Sequence, residues 1–266
     1  MRGVLAACVL ALLAWPAGAG DLASLYSAQA VVTGTSAENR VPGARDCLRQ
    51  AIVRVSGDQR LVRHPGLPAL IDRADSLVQR FRYRDRLEGI PIHDEQGTYD
   101  RPHDLFCAYA PATLDAALAR LGARPWLEER PRLTLFLHVQ NARQDFWLAS
   151  DGSDNPYMRD SLALGSAPLA LAIGLPDTAA LDRLSPALTH AADLSALQAA
   201  ARAAGGDVPV LGSLVWSDAD LGWVSRVRLP HGGRTHAWES RGISFDEAFR
   251  VLARGAAQVL SGHGTP

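Results

Sequence analysis

The sequence predicts a mixed α/β (α+β) fold built from two small lobes. Residues 132–140 form a nearly continuous apolar run behind Pro131, which is typical of a strand buried on both faces of a sheet. Segments with helical and with strand-like periodicity alternate on both sides of this run. We therefore expect an N-terminal lobe over residues 20–123 and a C-terminal lobe over 132–262, followed by a tail at 263–266.

Composition and charge exclude several classes of function. The 266 residues are 47% hydrophobic and 21% charged, as expected for a globular protein with a core. The net charge of −1 lacks the basic excess that nucleic-acid binding needs, so no nucleic-acid partner is expected. All 27 basic residues are arginine, which excludes a Schiff-base lysine and a P-loop lysine. The sequence predicts no cofactor.

The first 19 residues have the pattern of a cleavable signal peptide. Arg2 supplies the positive start, residues 4–15 are apolar, and Ala17 and Ala19 fit the small-x-small cleavage rule. A lipoprotein leader ending at Cys8 is the alternative, but only about five apolar residues would precede that cysteine. We expect a periplasmic protein without a transmembrane segment.

The N-terminal lobe is predicted as a β-α-α-β-β-α unit. Apolar residues recur at helical spacing behind Pro42, and Gly57 ends that helix. The predicted elements are a strand at 25–32, helices at 42–55 and 69–77, strands at 79–87 and 105–110, and a helix at 114–121.

The C-terminal lobe is predicted as a mixed sheet with the apolar strand 132–140 at its centre. Ser244 and Glu247 have capping-box spacing, which marks the start of the last helix. The other predicted elements are an excursion at 141–160, strands at 168–173 and 208–216, helices at 177–184 and 194–204, and a hairpin of 222–229 with 234–240.

Residues 79–87 alternate strictly, which predicts a half-exposed strand. We call its polar side the arginine face, formed by Arg80, Arg82, Arg84 and Arg86. Guanidinium groups suit carboxylates and phosphates, so the face is a candidate anion site; a solvated or acid-paired face is the plainer interpretation.

Three other groups are candidate sites, each with a structural alternative. Cys47 and Cys107 can form a disulfide or remain separate buried thiols. Trp216, Trp223 and Trp238 can line a groove or pack the predicted hairpin on its sheet. A polar cluster at 93–104 can bind a metal or act as acid and base, or be a solvated loop. The members of this cluster with the strongest chemistry are His93, Asp94, His103 and Asp104.

Four short stretches resemble a known family. They are 25–29 (LYSAQ), 54–58 (RVSGD), 77–84 (LVQRFRYR) and 130–133 (RPRL). Together they are similar to the secreted proteobacterial family called domain of unknown function two-thousand-sixty-six, most clearly over residues 25–139. The resemblance implies a protein of the cell envelope and supplies no catalytic residues.

Two functional hypotheses follow from the sequence. The first is a non-enzymatic binding or scaffolding protein of the periplasm, whose partner is another envelope protein. The second is a metal-dependent or other hydrolase that uses the loop from His93 to Asp104. Anion or lipid-headgroup binding through the arginine face is a third hypothesis, and it predicts an affinity that falls with salt.

Overall fold

A computed structural model describes residues 24–90, 100–153, 155–189 and 194–266. It confirms the mixed α+β class, with one sheet of three strands and one of six. The predicted signal peptide at 1–19 and the candidates His93 and Asp94 lie outside the described residues. No helix within the described ranges has both the length and the apolar character to cross a bilayer.

The first lobe packs helices on one face of an antiparallel sheet whose strand order is β1-β3-β2. Its elements are β1 (Ser27–Thr33), α1 (Ala37–Ser56), a 3₁₀ turn (Gln59–Arg63), α2 (Leu67–Ile71), α3 (Ala74–Leu77), β2 (Arg80–Asp85), β3 (Pro102–Ala108) and α4 (Pro111–Arg120). Gly43 of α1 lies directly against Val32 and Leu105, so the helix and the sheet approach closely at that point. The opposite face of this sheet carries no helix within the described residues.

The second lobe is a six-stranded mixed sheet covered on both faces. Its elements are β4 (Leu133–Gln140), β5 (Asp145–Trp147), α5 (Pro156–Ser166), a 3₁₀ turn (Ala167–Leu169), β6 (Ile173–Gly174), α6 (Thr178–Thr189), α7 (Leu194–Ala203), β7 (Val208–Ser217), β8 (Gly222–His231), β9 (Arg234–Ile243) and α8 (Phe245–Leu260). The strand order is β5-β4-β7-β8-β9, and the two-residue β6 also pairs with β4.

Strand β4 is buried on both faces, as the apolar run predicts. Leu135 and Leu137 face the core that includes Phe249 of α8. Phe136 points the other way, into the cluster around Leu197 of α7. Because adjacent side chains of a strand point to opposite faces, a strand with helices on both sides needs apolar residues at both parities.

Several predicted elements differ from the structure. The excursion predicted at 141–160 contains β5 and the first turn of α5, and the helix predicted at 177–184 continues to Thr189. Helix α1 begins five residues earlier than predicted, because the Ser36 hydroxyl caps it by accepting from the backbone N–H of Asn39. The helix predicted at 69–77 is broken near Arg73 into α2 and α3. The strand predicted at 168–173 is wrong over most of its length. Pro168 lies in a 3₁₀ turn and Ala170 has a left-handed φ of 52°, so only Ile173 and Gly174 form a strand in that region.

The two lobes are joined by hydrogen bonds between side chains and backbone. Arg130 donates to the carbonyl oxygens of Arg54, at 2.6 Å, and of Leu169. Arg54 donates in turn to the carbonyl oxygens of Ala167 and Pro168, at 2.9 and 3.1 Å. These bonds satisfy backbone acceptors that otherwise lack partners at the ends of helices and turns.

Candidate functional site

The arginine face lies on the open side of the first sheet. Because β2 alternates, Arg80, Arg82 and Arg84 point away from α1 and are exposed. The register places Arg82 beside Phe106 and Arg84 beside Asp104 on the central strand β3. The predicted strand is therefore present, with its cationic residues on the solvent side, but it is more exposed than predicted, since Phe81 on its other side is 47% exposed.

A buried carboxylate neutralises half of this face. Asp104 is only 4% exposed, and its Oδ2 accepts from Arg84 at 2.6 and 3.1 Å, while Arg86 lies 3.6 Å from Oδ1. Burial alone would raise the pKa of Asp104, but hydrogen bonds from Arg84 and Gln29 and the two nearby charges hold it below its usual value. Asp104 is therefore an ionised structural partner of Arg84 and Arg86.

The other half of the face keeps its positive charge. The guanidinium of Arg82 lies over the Phe106 ring, with its central carbon 4.2 Å from the ring centroid, and the side chain is exposed. Neither Arg80 nor Arg82 has a carboxylate partner within the part of the chain that the structure describes. These two arginines can therefore bind an anion without first breaking an ion pair.

A groove of about 1070 Å³ adjoins these two arginines. Its lining includes five consecutive residues of β1, 27–31, together with residues from both faces of the sheet. Arg80, Arg82 and Phe106 come from the open face, and Arg49 comes from α1 on the opposite side. The groove therefore follows the free edge of β1.

The second lobe closes one end of this groove. Leu164 and Pro168 line it, and Arg54 spans from α1 to the carbonyl oxygens near Pro168. Arg49 pairs with Asp46 at 2.8 Å, but both side chains are largely exposed, so this ion pair holds Arg49 weakly. The groove thus combines apolar walls with four arginines, which are Arg49, Arg54, Arg80 and Arg82.

The predicted polar cluster is not brought together in the described residues. His103 and Asp104 are neighbours on β3, so their side chains point to opposite faces of the sheet. His103 Nδ1 lies 2.7 Å from the carbonyl oxygen of Arg101, and its ring meets Tyr83 edge-on. Within the described ranges, no group of three His, Cys, Asp or Glu residues is arranged to hold a metal.

The two cysteines are free thiols in the structure, which agrees with the second of the two alternatives, buried thiols without a bridge. Cys47 on α1 and Cys107 on β3 are both buried, and Cys47 Sγ lies 3.9 Å from the carbonyl oxygen of Leu105. The hydrogen bond with Cys107 and burial both raise the pKa of the Cys47 thiol. A buried, protonated thiol is a poor nucleophile, because reactive cysteines need an accessible thiolate.

Sequence reasoning missed a Ser-His-Asp grouping at the lobe junction. Ser261 Oγ lies 2.8 Å from His263 Nδ1, and His263 Nε2 lies 3.9 Å from Asp58 Oδ2. The carboxylate of Asp58 already accepts hydrogen bonds from Nε and Nη2 of Arg60, each at 2.8 Å. Ser261 follows the C-terminus of α8, where backbone carbonyls point outward, and that end repels an oxyanion. The grouping therefore serves the packing of the junction.

The three tryptophans do not share one surface. Trp216 and Trp223 are opposite each other on β7 and β8, with ring centroids 5.7 Å apart. Trp238 on β9 packs against Gly255 of α8 instead. Packing of the hairpin on its sheet and on α8 accounts for Trp223 and Trp238, and Trp216 is 41% exposed.

Comparisons with known proteins correct the resemblance drawn from the sequence. A family model described as Domain of unknown function (DUF8605) matches residues 19–127. The assignment to domain of unknown function two-thousand-sixty-six was therefore wrong. No curated protein and no solved structure matches the chain. Residues 19–127, which include the whole first sheet and α1, are thus similar to a different family of unknown function.

Proposed function

We propose that the protein is a non-enzymatic binding or scaffolding protein of the cell envelope, which binds an acidic envelope protein in the groove beside β1. One observation carries this proposal. Arg80 and Arg82 lie exposed beside a groove of about 1070 Å³, without a carboxylate partner in the described part of the chain. Such a pair of arginines attracts carboxylates and can bind them with two parallel hydrogen bonds.

The chemistry of the neighbouring residues supports binding over catalysis. Asp104 is 4% exposed, accepts from Arg84 and lies beside Arg86, and its pKa is held below the usual value, so it is a poor candidate for a general base that takes a proton from a substrate. Both thiols are buried, and the histidine beside Asp104 points to the opposite face. Of the four residues named for the hydrolase hypothesis, His93 and Asp94 lie outside the described residues.

Export to the periplasm is part of this proposal and rests on the leader pattern at residues 1–19. The full-length chain should be recovered from a periplasmic extract as a protein that begins near Gly20. N-terminal sequencing of the extracted protein measures this directly. Recovery of an uncleaved chain from the cytoplasm would contradict the location.

The binding proposal is tested with a fluorescent oligoglutamate peptide and fluorescence anisotropy. The double variant R80A/R82A should bind roughly fivefold to thirtyfold more weakly at low ionic strength, because two surface charge contacts are lost. The matched control R202A/R234A removes the same charge from exposed positions elsewhere and should bind as the unmodified protein does. Affinity should fall as salt rises.

Two outcomes would contradict the proposal. If both double variants lost the same affinity for the peptide, only the net charge of the protein would determine binding. Binding to phosphatidylglycerol vesicles, with no binding of oligoglutamate, would point to lipid headgroups as the anions instead of an acidic protein.

A further inference from the structure

The outer edge of β1 presents unpaired backbone groups to the groove. In the antiparallel pair of β1 with β3, the N–H of Tyr109 donates to the carbonyl of Tyr26, and the N–H of Gly34 donates to that of Arg101. Alternate residues of an antiparallel strand point their backbone groups to opposite sides. Residues 28, 30 and 32 therefore bond to β3, and Ser27, Gln29, Val31 and Thr33 point their N–H and C=O groups outward.

These outward groups have no backbone partner among the described residues. Two of the residues, Gln29 and Val31, have exposed side chains that line the groove, and Val31 is 55% exposed. A sheet edge of this kind is a template for a further strand.

The other sheet edges carry the features that block such pairing, and β1 does not. Strand β2 is rich in arginine, β5 has three residues, and β9 carries Arg234, Glu239 and Arg241. Strand β1 has seven residues, with no charge, no proline and no bulge. Proteins normally protect edges with charges, short strands or bulges, so an unprotected edge beside a groove is suited to a partner strand.

We infer that an extended acidic segment of a partner protein binds in the groove as a fourth strand, paired with the outer edge of β1. This inference rests on the proposed function and specifies its partner. The charge of the groove selects an acidic occupant. β1 forms one edge of the sheet and β2 the other, so a strand added beside β1 would have Arg49 on its helix side, while on its open-face side the groove continues across Phe106 to Arg82. Side chains on the helix side would meet Arg49, those on the open side would enter the part of the groove that leads to Arg80 and Arg82, and the main chain would bond to β1.

The test uses blocked seven-residue peptides in which glutamate alternates with valine. One peptide is unmodified, a second is N-methylated on every valine amide, and a third is N-methylated on every valine amide and every glutamate amide. All three carry the same charge. The second peptide can still turn over and present its glutamate amides to β1, but the third cannot donate to β1 in either orientation, so we expect the third to bind roughly tenfold or more weakly than the unmodified peptide.

A protein variant examines the same edge from the other side. V31P removes one outward N–H and leaves the bonds of β1 to β3 in place, which is the position in an edge strand where proline is tolerated. V31P should bind the unmodified peptide about threefold to tenfold more weakly than V31A does. The methylated peptides test the unmodified protein, so the inference stays testable if V31P fails to fold.

The outcomes separate this inference from the proposed function. If all three peptides bind equally, and R80A/R82A weakens all of them, the groove binds anions without strand pairing and the inference is wrong. If R80A/R82A has no effect on any peptide, the proposed function fails and the inference fails with it. A dimer in sedimentation that V31P converts to a monomer would also overturn the inference, because a second copy would then occupy the edge.

Discussion

Replacing Asp104 with asparagine should destabilise the protein and strengthen anion binding at the same time. The substitution keeps the size of the side chain and removes its charge. In the unmodified protein the carboxylate is 4% exposed and accepts two charge-assisted hydrogen bonds from Arg84. In D104N these become bonds to a neutral amide, and Arg84 and Arg86 no longer have a counter-charge in the sheet.

The expected loss of stability is about 1–3 kcal/mol at neutral pH. A hydrogen bond to a charged partner is worth about 1–2 kcal/mol more than one to a neutral partner, and the exposure of both arginines limits the cost of leaving them unpaired. The folded-state pKa of Asp104 is lowered, so its contribution is present above the unfolded value of about 3.9 and is lost as pH falls toward the folded pKa. The difference in unfolding free energy between the unmodified protein and D104N should therefore be largest at neutral pH and should decrease below about pH 4.

Urea unfolding, monitored by tryptophan fluorescence, measures this difference in unfolding free energy at each pH. D46N is the matched control, because Asp46 pairs with Arg49 on the surface and its loss should cost less than about 0.5 kcal/mol. Binding of the oligoglutamate peptide should become severalfold tighter in D104N, since one negative charge has left the arginine face. This account of Asp104 would be refuted if D104N were as stable as the unmodified protein at neutral pH. It would also be refuted if the difference in stability between the two proteins increased as the pH falls.

Three further predictions concern the core, the thiols and the lobe junction. F136A should cost about 3–5 kcal/mol in urea unfolding, because the ring is fully buried between β4 and α7. In protein expressed from residue 20, Cys47 and Cys107 should not react with a thiol reagent while the protein is folded. Both should react after the protein is unfolded without reductant. No reaction after unfolding would mean that the two cysteines form a disulfide. G57A should cost about 1–3 kcal/mol and more than G122A, since both glycines have left-handed φ values but only Gly57 lies against Ser261.

The fold class and the buried β4 were predictable because they depend on patterns within a few residues. Leu133, Leu135, Leu137 and Val139 make one side of this strand apolar, and Phe136 adds a large apolar side chain to the other side, so a strand there is best covered on both faces. Residues 168–173 are as apolar, yet most of that stretch is not a strand. Leu169 and Leu171 reach the core from a turn and a loop, and composition alone does not distinguish this from a strand.

The candidate site was predictable only in part. The alternation of residues 79–87 predicted the arginine face, but not which arginines would be neutralised. That depends on the register of β2 against β3, which places Asp104 beside Arg84 and Phe106 beside Arg82. The groove joins β1 to α5 and the 3₁₀ turn more than 130 residues later, so only tertiary packing creates it. The uncharged sequence of β1 was a readable signal of an open edge.

The position of Trp126 has a consequence for cutting the chain into fragments. Trp126 and Val53 belong to the buried core of the second lobe, although both fall within the matched residues 19–127. A fragment ending at residue 127 would therefore expose the side chains of Trp126 and Val53 to water, and Arg54 would lose its acceptors at Ala167 and Pro168. We expect the intact protein to melt in a single cooperative calorimetric transition, and the isolated fragment to be prone to self-association.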